Sequence, residues 1–242
     1  MLVGMKISAH YVTPPHRCSY LPAQTAMLEY IDCETLSVDE YDVMLVNGWR
    51  RFGRSLFRPR CPFCTSCWSL RVLTERFEMN RSQKRNVREN ASRVRLEIGE
   101  PSVSDRKLAL HDAFHTHQSE EIGWPRYPPK DFSSYVASFV NNPIPTEEWC
   151  YYDGDKLIGV GYVDVVPTGL SAIYFFHDPQ YREWGLGTWN VLQVIKEAGE
   201  RNRPFVYLGY YVAGCRSLEY KARFGPHEVH DSSTGRWQLP VV

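Results

Sequence analysis

The chain of 242 residues is 43% hydrophobic and carries 28 basic and 28 acidic side chains, so its formal net charge is zero. This hydrophobic content is enough for one domain or two small ones. No apolar run approaches the roughly 18 residues that span a bilayer, and the N-terminus lacks the order of a signal peptide, so we expect a cytoplasmic protein without membrane contact. Seven cysteines in such a chain indicate reduced thiols or metal ligands rather than a disulfide framework.

Charge is distributed unevenly along the first part of the chain. Residues 18–49 hold six acidic side chains and no Lys or Arg, whereas residues 50–88 hold eleven basic side chains against two acidic ones. A basic segment of this kind can follow a phosphate backbone, because each contact releases condensed counterions. The alternative is a solvated surface that the acidic segment balances.

The first half of the chain has several local signals of secondary structure. Ser37 and Glu40 form a capping-box pattern ahead of a short helix that Gly48 ends. Residues 49–60 are predicted to be a basic connection and residues 69–73 a strand. A basic helix is predicted over residues 82–90, a strand over 94–98, and a helix that begins at Ser104.

The middle of the chain begins with a polar stretch. Residues 116–130 are rich in Trp, Pro and His, which indicates a mobile or substrate-facing loop. A helix is predicted over residues 131–140. Residues 149–152 and 157–166 then flank an Asp-Gly turn and predict a β-hairpin.

The cysteines at 61, 64 and 67 are spaced as C-x2-C-x2-C. Together with Cys18 they supply four thiols, the set that zinc or an iron–sulfur cluster uses. The alternative is that these thiols are small, partly buried packing groups. We read Cys33 and Cys150 as structural.

The last third of the chain has the order strand, glycine turn, helix, strand. An apolar strand over residues 170–177 leads to an R-x-x-G-x-G turn at Arg182, Gly185 and Gly187, and a helical pattern follows. Glycines at this point allow backbone amides to approach an anion at the helix N-terminus. A second strand over residues 204–210 and a helix over 215–225 complete the pattern.

This order resembles that of GNAT-type acetyltransferases around coenzyme A. The resemblance implies an α+β protein with a GNAT-like acyltransferase fold in its C-terminal half. The N-terminal half is then a smaller cysteine-containing α/β region. We therefore divide the chain into residues 1–100 and residues 101–242.

Two longer sets of motifs resemble the aminoacyl-tRNA–protein transferases. The first comprises Gly-Trp-Arg-Arg at residues 48–51, the three spaced cysteines, Arg-Val at 71–72 and the basic run at 80–85. The second comprises residues 207–211, Gly-Cys at 214–215, residues 220–224 and Gly-Arg-Trp at 235–237. The length of the chain, with Cys18, Tyr20 and Leu21, is closer to the bacterial aspartate/glutamate leucyltransferase branch than to the eukaryotic arginyltransferases.

The resemblance implies that an amino acid, Leu or Arg, passes from aminoacyl-tRNA to proteins with an N-terminal Asp or Glu. The product then carries a destabilising residue that marks it for the N-degron pathway. No cofactor is required for this transfer. Two other functions stay open on the sequence alone: a coenzyme A-dependent N-acetyltransferase, and an RNA-binding protein without catalysis.

The chemistry of such a transfer suggests candidate catalytic residues. An α-amine with an ordinary pKa of about 8 can attack an activated ester once it is positioned, so no covalent nucleophile is needed. The site needs an acceptor for the amine proton, donors to the oxyanion and a proton for the departing ribose oxygen. We expect Tyr220 or Tyr210 near the leaving oxygen, and Asp178 or a water at the amine. The alternative is that both tyrosines are core residues.

Recognition of the acceptor and of tRNA calls for cations. Arg81 and Arg85 are spaced i, i+4 and can face one carboxylate, or they can contact tRNA phosphates directly. Lys221, Arg50 and Arg51 are further candidates for either task. The turn with Arg182, Gly185 and Gly187 is predicted to hold the terminal phosphate of the tRNA.

Overall fold

The computed structural model describes residues 4–232 and 234–240. The strands are β1 (Lys6–Val12), β2 (His16–Arg17), β3 (Thr25–Ala26), β4 (Leu28–Thr35), β5 (Arg50–Phe52), β6 (Ser55–Pro59), β7 (Trp68–Leu73), β8 (Arg95–Gly99), β9 (Thr146–Asp153), β10 (Lys156–Val166), β11 (Gly169–His177), β12 (Phe205–Tyr211), β13 (His227–Asp231) and β14 (Arg236–Gln238). The α-helices are α1 (Val38–Val46), α2 (Arg81–Asn90), α3 (Asp105–Ile122), α4 (Phe132–Tyr135), α5 (Leu186–Glu200) and α6 (Arg216–Glu219). A π-helical turn continues α4 over Val136–Val140, and 3-10 turns lie at Thr74–Arg76, Pro179–Trp184 and Tyr220–Arg223.

The described strands form two main sheets and one small ribbon. The larger sheet has the order β14-β13-β7-β12-β11-β10-β9-β8, and within it β11 and β12 run parallel while the other neighbouring pairs run antiparallel. The smaller sheet is antiparallel, with the order β1-β4-β6-β5, and β2 pairs with β3. Strands β7 and β8 belong to the larger sheet, so that sheet takes strands from both sides of position 100. The chain is therefore a mixed α/β protein.

Helices cover both faces of the larger sheet. The apolar side of α5, including Trp189, Leu192 and Ile195, packs on one face together with Tyr151 of β9. The neighbouring residue Cys150 points to the other face, where α3 contributes Phe114. This alternation within β9 is what a strand buried on both faces requires. A third cluster joins α1 to the smaller sheet.

Capping boxes begin two of the helices, and the first of them is the one that the sequence predicts. In α1 the Ser37 hydroxyl accepts from the amide of Glu40 at 3.2 Å, and the Glu40 carboxylate accepts from the amide of Ser37 at 2.9 Å. In α2 Asn80 and Gln83 make the same reciprocal pair, at 3.0 and 2.9 Å. Each box satisfies two backbone donors that a helix start otherwise leaves free.

Three predicted elements differ from the structure. Residues 49–60 form the hairpin of β5 and β6 rather than a connection, because buried arginines obscure the alternation of the strands. Helix α3 continues through polar residues to Ile122 and ends at Gly123, whose φ of 79° is left-handed, so the loop is shorter than residues 116–130. The predicted helix over 215–225 is only α6 followed by a 3-10 turn.

No helix among the described residues has the length and apolar character that a membrane crossing needs.

Candidate functional site

The parallel strands β11 and β12 separate part-way along their length. They are paired from Gly169 to Ser171 on β11 and from Phe205 to Tyr207 on β12, and beyond those residues they diverge. A cavity of about 130 Å³ lies in the resulting wedge. Its lining comprises Tyr20, Tyr41, Arg50, Arg51, Phe52, Phe57, Ser171, Ala172, Ile173, Leu208, Gly209, Tyr210, Leu218 and Lys221.

Arg50 enters this wedge from β5 of the smaller sheet. The residue is only 6% exposed, and its Nη2 donates to the carbonyl of Ala172 on β11 at 3.2 Å. Its Nη1 is buried and has no hydrogen-bond partner among the described residues. A buried donor without a partner is costly, and this guanidinium therefore has one donor free for a group in the cavity.

Lys221 is the second cation of the cavity. Its Nζ donates to the carbonyl of Tyr210 at 2.8 Å. Burial and the nearby charge of Arg50 lower the pKa of Lys221 to about 7. Among the described residues neither Lys221 nor Arg50 forms an ion pair.

Both cations lie beside Gly209 of β12. Its φ is +81°, and a Cβ built there lies 3.5 Å from both Arg50 Nη2 and Lys221 Nζ. Glycine adopts this conformation without the cost that side chains incur. The cavity thus presents two cations without a counter-ion at one end and apolar side chains over much of the remainder, which suits an anionic group on an organic molecule.

The two candidate tyrosines differ in their surroundings. The Tyr210 hydroxyl donates to the carbonyls of Gly48 and Phe57, at 3.1 and 3.3 Å. The ring of Tyr210 lines the cavity, but its hydroxyl is hydrogen-bonded to backbone carbonyls, which is typical of a structural tyrosine. Tyr220 packs its ring edge-on against Phe224, with centroids 6.4 Å apart, and burial raises its pKa.

Asp178 lies at the far end of β11. It caps the 3-10 turn by accepting from the amide of Gln180 at 2.9 Å, and it pairs with Lys156 at 2.8 Å. It is six residue steps of extended chain from Ala172, a distance of roughly 20 Å. The structure therefore does not bring Asp178 together with the cavity.

Arg51 is buried on the opposite face of β5 from Arg50. Its side chain and that of Asp164 are both fully inaccessible, and they form a two-pronged ion pair with Nε 3.1 Å from Oδ2. The guanidinium also donates to Asn142 at 2.8 Å and to Thr146 at 3.1 Å. With its donors satisfied by the protein, Arg51 ties the two sheets together and is not available to a substrate.

Arg81 and Arg85 lie on the exposed face of α2 and do not line the cavity. With Lys84 and Arg88 they occupy positions i, i+3, i+4 and i+7, so one side of the helix is basic. Arg85 is also 4.0 Å from Glu89.

The opposite side of α2 holds the glycine turn. Asn86 and Asn90 donate to the carbonyl of Trp184 at 3.0 and 2.8 Å, and a Cβ on Gly185 would lie 2.8 Å from Asn86 Nδ2. Arg182 is exposed and contacts its neighbour Glu183, and a Cβ on Gly187 would meet nothing within 4 Å. The turn therefore packs on α2 on the side away from its basic residues.

Comparison with known proteins identifies the family. Residues 16–85 match the family model "Arginine-tRNA-protein transferase, N terminus", and residues 106–231 match the corresponding C-terminus model. The chain belongs to this family. It is 34% identical over 222 residues to an aspartate/glutamate leucyltransferase of Campylobacter jejuni, covering 90% of this chain and 91% of the relative. It is 35% identical over 235 residues to one of Nitrosococcus oceani, covering 95% and 94%.

A solved structure of the C-terminal domain of a lysylphosphatidylglycerol synthetase from Agrobacterium fabrum is similar in fold. The TM-score is 0.50 at 12% identity, over 70% of this chain and 61% of that one. The predicted family is thus confirmed, and the likeness to the synthetase domain concerns the fold alone.

Five cysteines of this transferase lie near one another, whereas Cys33 and Cys150 belong to two separate core clusters. Burial and the nearby thiols of Cys18, Cys61, Cys64 and Cys215 raise the pKa of Cys67 to about 12. Within residues 4–232 and 234–240, however, no three Cys, His, Asp or Glu side chains are placed to hold one metal ion, and all seven thiols are free. The metal stays a prediction of the sequence.

The sequence predicts Arg50 and Lys221 as substrate-binding residues. It does not indicate that these two lie together, or that Arg51 and the arginines of α2 lie elsewhere. One signal was available in Gly209, a glycine inside an apolar strand, which marks a point of close approach. The partner that approaches it comes from another sheet, and no local pattern specifies that contact.

Proposed function

We propose that this protein transfers leucine from leucyl-tRNA to the N-terminal Asp or Glu of acceptor proteins and so marks them for the N-degron pathway. Membership of the transferase family and the similarity to aspartate/glutamate leucyltransferases support the reaction. The observation that carries the proposal is the pair of unneutralised cations, Arg50 and Lys221, in the wedge between β11 and β12. Charged tRNA is a cytoplasmic substrate, so the reaction belongs to the cytoplasm.

The acceptor's side-chain carboxylate is the anion that we assign to this pair. The free Nη1 of Arg50 and the Nζ of Lys221 offer charge-assisted hydrogen bonds, which are shorter and stronger than neutral ones. A bound carboxylate would satisfy the buried donor and neutralise the repulsion between the two cations. An N-terminal Asn or Ala offers no charge, so the cavity would reject it.

The choice of leucine over arginine as donor also follows from this lining. Phe52, Phe57, Ile173, Leu208 and Leu218 provide an apolar wall, and no carboxylate belongs to the lining. An arginyl side chain would enter a cavity that already holds two cations without a counter-ion. A leucyl side chain meets only apolar contacts.

The reaction needs positioning more than reactive side chains. The acceptor α-amine attacks the carbonyl carbon of the aminoacyl ester, a C–N bond forms, and the bond to the ribose oxygen breaks. The nitrogen loses a proton and the ribose oxygen gains one, and we assign this exchange to water, because Asp178 is remote and the Tyr210 hydroxyl is engaged. Anchoring the carboxylate beside the ester supplies the orientation that removes much of the barrier.

The basic side of α2 is proposed as a contact for the tRNA backbone. Arg81, Lys84, Arg85 and Arg88 are exposed on one helical face, and α2 packs directly on the turn that precedes α5. Because Arg81 and Arg85 do not line the cavity, phosphate contact is favoured over the alternative in which they bind the acceptor carboxylate. The open space at Gly187 supports contact of the same turn with a backbone phosphate of the tRNA, as in a GNAT-like C-terminal half.

The test is transfer of radiolabelled Leu, and separately Arg, from charged tRNA to peptides that begin with Asp, Glu, Asn or Ala. The proposal predicts transfer of Leu to the Asp and Glu peptides alone, without added metal. Asn and Ala peptides of otherwise identical sequence are the matched controls. Absence of transfer from either tRNA, with acetylation of the peptides from acetyl-coenzyme A instead, would overturn it.

A further inference from the structure

A row of aromatic side chains crosses the smaller sheet and ends at the cavity. Tyr11 of β1 stacks on Tyr30 of β4, with ring centroids 5.4 Å apart and planes 15° from parallel. Tyr30 lies 5.9 Å from Phe57 of β6, and Phe57 contacts Tyr210 of β12 at 6.3 Å. Three strands thus each contribute one ring to a continuous line that leads to the site.

The strand register shows that this row is a feature of the fold. Tyr11 is paired with Tyr30, Tyr30 with Phe57, and Phe57 with Arg50, so all four side chains are directly opposite one another. Cross-strand partners lie on one face of a sheet. The row spans three strand spacings, about 14 Å. Its last member is Arg50, the cation that we propose binds the acceptor carboxylate.

The exposure of the rings decreases toward the cavity. Tyr11 is 46% exposed, Tyr30 and Phe57 are partly buried, and Tyr210 is 7% exposed. A row that served only to fill a core would be covered at both ends. This one is open at the sheet edge and enclosed where Phe57 lines the cavity.

Polar groups beside the outer ring complement a nucleotide. One depression on the surface of the sheet is lined by Ser8, Tyr11, Asp32, Cys33, Glu34, Arg54 and Ser55, and Lys6 pairs with its Glu34. An aspartate can accept a hydrogen bond from the amino group of cytosine, and an arginine can face a phosphate. Aromatic rings on a sheet, with such groups at their edges, are the common platform for unpaired bases.

We propose that the unpaired 3′ end of the donor tRNA stacks along the row of Tyr11, Tyr30 and Phe57, which delivers its terminal ester to the cavity. The inference rests on the proposed function and adds to it a path for the donor. The terminal adenosine lies at Phe57, and the cytidines before it lie at Tyr30 and Tyr11. The basic side of α2 then meets the duplex part of the tRNA.

The test compares two donors in the full-length protein with an Asp peptide as acceptor. One donor is leucyl-tRNA and the other is 3′-O-leucyl-adenosine, which lacks the preceding cytidines. Tyr11→Ala is expected to raise KM for leucyl-tRNA at least about fivefold, because loss of one base–ring stack has this size. KM for leucyl-adenosine is expected to stay at the wild-type value, and Tyr11→Phe is expected to restore tRNA binding.

Val12→Ala is the matched control. Val12 is adjacent in β1 and 37% exposed, but it pairs with Glu29 and points to the opposite face. Equal KM values for leucyl-tRNA in Tyr11→Ala and Val12→Ala would overturn the proposed stacking of the tRNA 3′ end. An equal rise of KM for leucyl-tRNA and for leucyl-adenosine in Tyr11→Ala would overturn it too. In either case wild-type transfer from both donors would leave the proposed function intact. Failure of the wild-type protein to transfer Leu from either donor would instead refute the function itself.

Discussion

Replacement of Arg50 by methionine tests the recognition of the acceptor. Methionine fills a similar length but offers no donor to the carboxylate. A hydrogen bond to a charged group contributes about 1.5–3 kcal/mol, and the free Nη1 is the donor in question. We therefore expect kcat/KM for an Asp peptide to fall about 10- to 150-fold.

The matched substrate is a peptide that begins with Asn, which has the same shape without the charge. Arg50→Met is expected to change kcat/KM for the Asn peptide much less, so the preference for Asp over Asn narrows. Arg50 also donates to Ala172, so thermal unfolding is measured in parallel and rates are compared at temperatures where each variant is folded. Arg50→Lys retains the charge and is expected to fall between wild type and Arg50→Met. Equal losses on the Asp and Asn peptides would refute recognition by Arg50 and leave it a structural role.

Four further outcomes are expected. Arg51→Met leaves a buried carboxylate unpaired and should lower the free energy of unfolding by about 3–5 kcal/mol in urea titrations. Lys221 is charged below its pKa of about 7 and neutral above it. The affinity for a succinyl peptide, which has a carboxylate but no amine, should therefore fall up to about tenfold per pH unit between pH 7 and 9, as measured by calorimetry. Lys221→Arg should abolish this pH dependence. Replacing Arg81 and Arg85 together by Ala should reduce the slope of log affinity for tRNA against log salt by roughly 0.7–0.9 per lost phosphate contact, without changing the preference for Asp over Asn peptides. Gly209→Ala should cost about 1–2 kcal/mol of stability, seen in denaturant unfolding, because its φ of +81° is left-handed.

Elements with local signals could be predicted from the sequence. The helix that Ser37 begins and the order of strand, glycine turn and helix over residues 170–200 depend on capping groups and on apolar periodicity within a few residues. The hairpin of β5 and β6 has no such signal, because its arginines are buried through partners elsewhere in the chain. Charge alone therefore indicated a basic connection where the structure has a hairpin whose first strand, β5, is buried.

The site itself depends on contacts between distant parts of the chain. Arg50 and Arg51 are neighbours in sequence, but alternation along β5 sends one toward the cavity and the other toward Asp164. No property of the sequence specifies which arginine faces which side. Asp178 likewise follows β11 directly in sequence, but the length of β11 places it far from the wedge between β11 and β12.

The most direct measurement is a crystal structure of the protein with the product peptide Leu-Asp-Ala-Ala. This peptide carries both the transferred residue and the acceptor side chain, and it cannot react further. The account predicts that the Asp carboxylate lies within hydrogen-bond distance of Arg50 Nη1 and Lys221 Nζ, with the leucyl side chain against the apolar wall of the cavity. A carboxylate bound at Arg81 and Arg85 instead, with the wedge between β11 and β12 empty, would contradict it.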